Sequence, residues 1–140
     1  MYLLDTNLVS ELRKARTGRA DPGVVAWAAG VRGGDQYLSV ITVLELELGI
    51  QLSERRDPSQ GGILRAWFEK QVLGGFAERI LPVDTEIARR CAGLHVPNRR
   101  PDRDALIAAT ALVHGLTLVT RNVRDFADTG VALHNPWCAP

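Results

Sequence analysis

The sequence predicts an α/β protein in which helices cover both faces of a central parallel sheet. Short apolar runs of strand length alternate along the chain with longer segments whose apolar residues recur at helical spacing. This alternation is typical of strand–helix–strand units, in which consecutive strands run parallel. The 140 residues match the usual size of one domain, so we expect residues 1–140 to form a single domain.

The composition is that of an ordinary globular protein. Hydrophobic residues make up 46% of the chain and charged residues 24%, and the formal net charge is +1. Any binding to nucleic acid must therefore come from a local basic patch. All but Lys14 and Lys70 of the 17 basic residues are arginines. The chain shows no signal peptide and no apolar run of membrane-spanning length, so we expect a cytoplasmic protein with no membrane partner.

Cysteine and histidine are too scattered for a zinc site or a disulfide framework. We expect Cys91 and Cys138 to be free thiols in a reducing compartment. We expect His95, His114 and His134 to be structural or surface residues.

The first predicted strand ends on an acid. Residues 2–4 form a short apolar run, and Asp5 follows at its carboxyl end, before the small polar residues Thr6 and Asn7. In open α/β sheets, ligands bind at the edge formed by the carboxyl ends of the strands. The alternative is that Asp5 only caps the short helix predicted at 7–14.

A second helix and a second strand follow. Asp21-Pro22 spells an N-cap followed by proline in the first turn, which predicts a helix start. Residues 37–41 are rich in β-forming side chains and predict a strand. Further on, the polar residues 55–62 predict a loop, and residues 63–72 predict an amphipathic helix.

The segment 44–52 can be interpreted in two ways. Apolar and polar residues alternate in it, which favours a strand, but its Leu, Glu and Gln residues favour a helix. We predict a helix that begins with a capping box, with Thr42 as the N-cap and Glu45 in the first turn. In the structural alternative, the carboxylate of Glu45 only satisfies a backbone N–H.

The second half of the chain predicts three more strands, two longer helices and one short helix. Residues 79–83 predict a strand, and Asp84 caps the helix that follows. Residues 95–102 predict a basic loop, and residues 104–114 predict a helix ended by Gly115. The remaining predicted elements are strands at 116–119 and 131–133, with a polar turn and short helix at 120–128 between them.

Each of the acids that stand out follows a predicted strand or begins a helix. These positions share one edge of a parallel sheet, so Asp5, Glu45, Asp104 and the Asn122/Asp125 pair could converge. Clustered carboxylates repel one another unless a cation joins them. Oxygen ligands without histidine or thiolate suit Mg²⁺ or Mn²⁺. The alternative for Asp104 is a helix-dipole acid, worth about 0.3–1 kcal/mol.

Four blocks of the sequence and its ending stand out together. They are residues 3–7 (LLDTN), 42–49 (TVLELELG), 103–111 (RDALIAATA), 120–126 (TRNVRDF) and 135–137 (NPW). The four blocks resemble, in order, the motifs of PIN-domain toxins of the VapBC type, and the ending is similar to the FitB-like branch of that family. The resemblance implies a single PIN domain with a three-layer α/β/α sandwich. It also implies the toxin component of a type II toxin–antitoxin system, a ribonuclease that depends on Mg²⁺ or Mn²⁺.

The resemblance also implies roles for particular residues. The implied set of metal ligands, which would also be the catalytic residues, is Asp5, Glu45, Asp104 and the Asn122/Asp125 pair. Because some relatives carry an acid at the position of Asn122, either Asn122 or Asp125 could meet the metal. We expect Asp125 to be the fourth acid and Asn122 to orient it. The expected supporting residues are Thr6, Asn7, Thr120 and Asn122. The candidates for RNA-phosphate contacts are Arg99, Arg100, Arg121 and Arg124, each of which could instead be a solvated surface arginine.

The implied partners are a small antitoxin, an RNA substrate and a second copy of the chain. DNA would be contacted only through the antitoxin. One rival interpretation is a phosphotransfer domain with Asp5 as the acceptor. It is disfavoured because Asn7 stands where such enzymes need a second acid, and because no lysine follows a late strand. The other alternative is a catalytically weak PIN protein that acts mainly as the partner of a DNA-binding antitoxin.

Overall fold

A computed structural model describes residues 1–137 and shows a parallel sheet between two layers of helices. The strands are β1 Tyr2–Leu4, β2 Gln36–Ser39, β3 Ile80–Leu81, β4 Thr117–Val119 and β5 Leu133–His134. They form one five-stranded sheet in the order β3–β2–β1–β4–β5, and every neighbouring pair is parallel. The predicted α/β fold class is confirmed. Cys91 is a free thiol, whereas Cys138 lies outside the described residues.

The helices divide between the two faces of the sheet. In β1, Leu4 packs in one core cluster with residues of the first four helices, whereas Leu3 packs on the other face with residues of the last helix. Within residues 1–137, no helix is long and apolar enough to cross a bilayer. The helices are α1 Thr6–Arg13, α2 Pro22–Gly30, α3 Val40–Arg56, α4 Pro58–Trp67, α5 Thr85–Leu94 and α6 Asp102–His114. Shorter turns lie at Lys14–Thr17, Gly33–Asp35 and Val123–Phe126, and a π-helical turn lies at Phe68–Leu73.

The centre of the sheet places two sequence motifs side by side. Leu4 of β1 pairs with Val119 of β4, and the backbone N–H of Asp5 donates to the carbonyl of Val119 at 3.0 Å. Asp5 and Thr120, which follow these two paired residues, therefore lie side by side at the carboxyl edge of the sheet. Because β1 has β2 on one side and β4 on the other, the chain connections diverge here, as they do at ligand-binding crevices of open α/β sheets.

The start of α3 differs from the prediction. The hydroxyl of Ser39 accepts the backbone N–H of Ile41 at 3.0 Å, so Ser39 is the N-cap and the helix begins at Val40. The predicted strand at 37–41 is therefore shorter than expected. The predicted capping box is wrong, and Glu45 lies one turn further into the helix than expected. The helical interpretation of 44–52 is confirmed.

The polar segment 55–62 is helical, so the predicted loop is wrong. The helix α3 runs to Arg56 and α4 begins at Pro58, with only Asp57 between them. The carboxylate of Asp57 accepts the backbone N–H of Gln60 at 3.3 Å, which makes Asp57 an N-cap followed by proline. Asp21-Pro22 has the same sequence pattern, and the helix start predicted there is confirmed.

The remaining elements appear close to their predicted positions. Asp84 caps α5 through the backbone N–H of Ile87 at 2.9 Å. Gly115 ends α6 with φ of +65°, a left-handed conformation that favours glycine. The last strand begins at Leu133, two residues later than expected, and the predicted strand at 79–83 is reduced to Ile80–Leu81.

The close packing of α3 against α4 depends on one glycine. A Cβ atom built on Gly61 would overlap the Cα of Glu54 and lie 2.6 Å from its backbone nitrogen. Because backbone cannot move away as a flexible side chain can, Gly61→Ala is expected to destabilise the fold by about 1–3 kcal/mol, the usual effect of overpacking. The free energy of unfolding in urea measures this effect.

Gly62 is the matched control for Gly61. It lies next to Gly61 in α4, and a Cβ atom there would meet nothing within 4 Å. Gly62→Ala should therefore stabilise the protein by about 0.5–1 kcal/mol through helix propensity alone. Equal stabilities of the two alanine variants would contradict the close helix contact.

Candidate active site

Asp5 occupies the carboxyl end of β1 with only 6% of its surface exposed. Its Oδ1 accepts the backbone N–H of Thr6 at 2.8 Å, so Asp5 does cap α1. Its Oδ2 accepts the hydroxyl of Thr120 at 2.7 Å and the side-chain amide of Asn7 at 3.2 Å. Burial raises the pKa of Asp5 and the charge of Glu45 adds to the rise, while the three hydrogen bonds oppose it. Because a carboxylate has about four lone-pair positions, one position remains for a further ligand.

Thr120 joins the polar ends of β1 and β4. Its fully buried hydroxyl donates to Asp5 and accepts the side-chain amide of Asn7 at 3.3 Å and the backbone N–H of Asn122 at 3.0 Å. The side-chain oxygen of Asn7 in turn accepts the backbone N–H of Arg121 at 3.3 Å. These contacts support the predicted roles of Asn7 and Thr120, because they fix both Asp5 and the loop that carries the last motif.

Glu45 faces the same edge from α3. Its Oε1 accepts the hydroxyl of Thr6 at 2.6 Å, and the hydroxyls of Thr6 and Thr42 are 3.2 Å apart. Its Oε2 lies 3.7 Å from Nη1 of Arg103. Thr6, which was predicted to be a supporting residue, therefore contacts the carboxylate of Glu45 directly. The contacts of Thr42 and Arg103 were not foreseen, because they join residues far apart in the sequence.

Asp104 lies in the first turn of α6 and is half-buried. Within residues 1–137 its carboxylate has no hydrogen bond and no ion pair. Burial raises the pKa of Asp104, and the negative charges of Asp5, Asp125 and Glu45 raise it further. Acids from the three other motifs therefore act electrostatically on Asp104. A helix-dipole role for Asp104 does not account for this coupling.

The last motif forms a short 3₁₀ turn, Val123–Phe126, after β4. Asp125 is exposed, and its charge reaches Asp104. The hydrogen bonds of Asn122 in the described part of the chain are made by its backbone, which accepts the N–H of Asp125 at 3.1 Å. The backbone of Asn122 thus fixes the turn that carries Asp125. Its side chain has no contact that supports the predicted orienting role.

Arg100 is held by structural contacts. Its Nε donates to the carbonyl of Leu94 at 2.8 Å, its Nη1 contacts Asp128 at 3.1 Å, and its side chain is only 21% exposed. Its backbone N–H donates to Nδ1 of His95 at 3.0 Å. These contacts favour the structural alternative for Arg100 over a phosphate contact.

The other three candidate arginines are exposed. Arg99 reaches Asp102 at 3.4 Å, and the guanidinium of Arg121 lies 5.7 Å from the ring centre of Trp137. Arg124 is exposed on the same turn as Asp125. A cavity of about 230 Å³ lies between two of the motifs; its lining includes Arg99, Arg100, Asp104, Asp125 and Phe126. Asp104 and Asp125 therefore border a space that two arginines also line.

The donor chemistry of the site fits a hard divalent cation. Asp5, Glu45, Asp104 and Asp125 offer only carboxylate oxygens, the ligands that Mg²⁺ and Mn²⁺ prefer. Burial raises the pKa values of Asp5 and Asp104, and the neighbouring acids raise them further, so a bound cation would stabilise both carboxylates in their charged form. Across the described residues, no three acidic, histidine or cysteine side chains form a closed ligand group. Asp104 and Asp125 line one cavity, and the charges of Asp5 and Glu45 reach Asp104 from outside that lining.

The fold and the acidic edge define a class of protein. A model of the PIN domain family matches residues 2–132, so the chain belongs to the PIN-domain family. Among curated proteins, the chain is 37% identical to the VapC ribonuclease Y4jK of Sinorhizobium fredii over 98% of both chains. It is also 37% identical to the toxin FitB of Neisseria gonorrhoeae, over 98% of this chain and 99% of the relative. Within the family, the chain is therefore of the VapC/FitB toxin type.

Solved structures agree with this assignment. The FitAcB structure from N. gonorrhoeae superposes with a TM-score of 0.88 at 37% identity, over 99% of this chain and 100% of that chain. A toxin–antitoxin complex from Klebsiella pneumoniae matches with a TM-score of 0.67 at 26% identity, over 98% of both chains. The predicted three-layer PIN sandwich is confirmed.

Proposed function

We propose that the protein hydrolyses RNA at the carboxylate cluster in a reaction that depends on Mg²⁺ or Mn²⁺. As a VapC/FitB-type PIN domain, it is a ribonuclease toxin of a toxin–antitoxin system. The observation that carries the proposal is the position of Asp104 at the start of α6, where the charges of Asp5, Glu45 and Asp125 reach its carboxyl group, while Glu45 also acts on Asp5. Such a cluster gains most from a cation that offsets its repulsion.

The chain's own residues hold the site in position for this reaction. Asp5, Glu45, Asp104 and Asp125 would hold the cation. Thr120 and Asn7 orient the carboxylate of Asp5, and Thr6 orients that of Glu45. When bound, the cation makes a water molecule a stronger nucleophile and offsets charge on the phosphoryl oxygens. No nucleophilic side chain is required. Single-stranded or looped RNA suits the site, because its backbone can enter an open groove.

A cleavage assay tests the proposed function. Purified, antitoxin-free protein should cleave RNA with added Mg²⁺ or Mn²⁺, and a chelator should stop the reaction. If the protein binds an antitoxin but cleaves no RNA with either ion, the alternative of a catalytically weak PIN protein is correct. Catalysis without any divalent ion would overturn the metal assignment.

The proposed partner is a cognate antitoxin that supplies the DNA contact. The similarity to a solved toxin–antitoxin complex supports this partner. A groove beside α1 offers apolar surface for a helix of the antitoxin; its lining includes Leu12, Arg13, Arg16, Trp67 and Phe76. We also propose a homodimer, because α3 exposes Leu44, Leu48 and Leu52 along one face. Light scattering of the purified protein tests the dimer.

Asp125 is proposed as the fourth acid of the site. Asp125→Asn should weaken Mn²⁺ binding and slow cleavage by at least about ten-fold, because one of four coupled charges is lost. Asn122→Asp should keep activity, because it adds an acid where some relatives have one. Metal titration and initial cleavage rates of the two variants provide the measurement. If Asp125→Asn behaves like wild type, the acidic set is Asp5, Glu45 and Asp104 alone.

A further inference from the structure

Arg103 is the cation that contacts the acidic cluster. It precedes Asp104 in the first turn of α6, and its Nη1 lies 3.7 Å from Oε2 of Glu45. Among residues 1–137, this is the one ion pair that reaches Asp5, Glu45, Asp104 or Asp125. Arg103 therefore balances part of the negative charge of the cluster.

The contact made by Arg103 is loose. One nitrogen approaches one oxygen at the long end of the ion-pair range, and the side chain is 50% exposed. A guanidinium carries five N–H donors, and this one contact occupies at most one of them. Arg65 shows the contrast, because it contacts Glu47 and Glu54 at 2.6 and 3.0 Å between two helices. Arg65 joins structural elements, whereas Arg103 can leave its partner at little cost to the fold.

We propose that Arg103 is an exchangeable counter-ion of the active site. It neutralises Glu45 until a divalent cation takes its place, and the released guanidinium then binds a phosphate of the RNA. This inference rests on the proposed function. The planar guanidinium fork matches two phosphate oxygens, and its position next to Asp104 keeps it beside the cleavage site. The exchange also lets one site bind a cation and an anionic substrate. RNA is a polyanion and approaches an acidic cluster only if positive charge is available there, and the released guanidinium supplies that charge.

The first arm of the test measures Mn²⁺ affinity by calorimetry without RNA. Arg103→Gln removes the competing charge, so Mn²⁺ should bind about five-fold more tightly than to wild type, the upper range for an exposed ion pair. Arg55→Gln is the control with the same change in net charge. Arg55 is exposed and lies ten residues beyond Glu45 in α3, about 15 Å along the helix. Its Mn²⁺ affinity should equal that of wild type.

The second arm measures the binding of a short single-stranded RNA with phosphorothioate linkages, at Mn²⁺ concentrations that saturate each protein. Arg103→Gln should bind this RNA at least about ten-fold more weakly, because a charged hydrogen bond to phosphate is lost. Arg103→Lys keeps the charge and loses the fork. It should hold Mn²⁺ as wild type does and still bind the RNA more weakly than wild type. If Arg103→Gln does not fold, Arg103→Lys decides the question through RNA binding.

The outcomes separate this inference from the proposed function. Unchanged or weaker Mn²⁺ binding by Arg103→Gln would overturn the exchange, and so would wild-type RNA affinity. If wild type binds Mn²⁺ but cleaves no RNA, the proposed function fails while the two binding arms still decide the role of Arg103. A wild type that binds no Mn²⁺ would overturn both.

Discussion

Asp104→Asn is expected to abolish RNA cleavage and, at the same time, to raise the melting temperature of the metal-free protein. Asp104 has no hydrogen bond or ion pair within residues 1–137, and three other acids act on it. Replacing its carboxylate with an amide removes a cation ligand and also removes repulsion from the fold. Activity and stability should therefore change in opposite directions.

The raised pKa of Asp104 also determines how the stability of the protein depends on pH. Burial and the neighbouring acids raise the pKa of Asp104 above its ordinary value of 3.8, so the folded state binds this proton more readily than the unfolded state. The stability that this group contributes is fully present below 3.8 and is lost as pH rises through the raised folded pKa. The advantage of Asp104→Asn over wild type should grow from acidic to neutral pH. Thermal unfolding in the presence of a chelator measures it.

Asp102→Asn is the control for Asp104→Asn. Asp102 lies in the same first turn, but its side chain is 69% exposed and contacts His95 and Arg99 at 3.5 and 3.4 Å. Its replacement should leave cleavage intact and should not raise the melting temperature. A stable Asp104→Asn variant that cleaves RNA at the wild-type rate would contradict the proposed role of Asp104.

Thr120→Val is expected to lower both activity and stability. Valine has nearly the shape of threonine, but it removes the hydroxyl that donates to Asp5 and that accepts bonds from Asn7 and Asn122. The loss of a hydrogen bond to a buried charge should cost about 1.5–3 kcal/mol. Cleavage should slow by about 10–100-fold, because the carboxylate of Asp5 loses its shortest support. Urea unfolding and cleavage rates measure the two effects.

Thr120→Ser distinguishes hydrogen bonding from packing at this position. Serine keeps the hydroxyl and loses one methyl group, which should cost about 0.8 kcal/mol. Activity near that of wild type is expected. If the serine and valine variants lose activity equally, Thr120 acts through packing, and its hydrogen bonds do not support the site.

Local signals in the sequence identified most of the fold and the acidic edge. Asp21-Pro22 and Gly115 predicted helix ends correctly because caps and left-handed glycines depend on neighbouring residues alone. Asp5 was placed at a strand end by the abrupt change from apolar to acidic residues. The hydrogen bond between Asp5 and Thr120 depends on the pairing of β1 with β4. No local pattern shows it, because 115 positions separate the two residues.

The errors have physical causes as well. Ser39 and Thr42 are both hydroxyl residues before a helical segment, and the backbone geometry at Ser39 decided which one caps α3. The segment 55–62 looked like a loop because it is polar and contains two glycines. Gly61 is needed there for the contact with Glu54, which no local pattern reveals. The different roles of Arg100 and Arg103 likewise depend on Asp128 and Glu45, which lie far away in the sequence.

The central claim is that the coupled carboxylates bind a divalent cation. The most direct measurement is the melting temperature of wild type and of Asp5→Asn as Mn²⁺ is added. A ligand that binds only the folded state adds about 2.7 kcal/mol of stability at one hundred times its Kd. The melting temperature of wild type should therefore rise steadily with Mn²⁺, and the rise should shrink in Asp5→Asn. Equal shifts in the two proteins, or no shift in wild type, would contradict a cation site at these carboxylates.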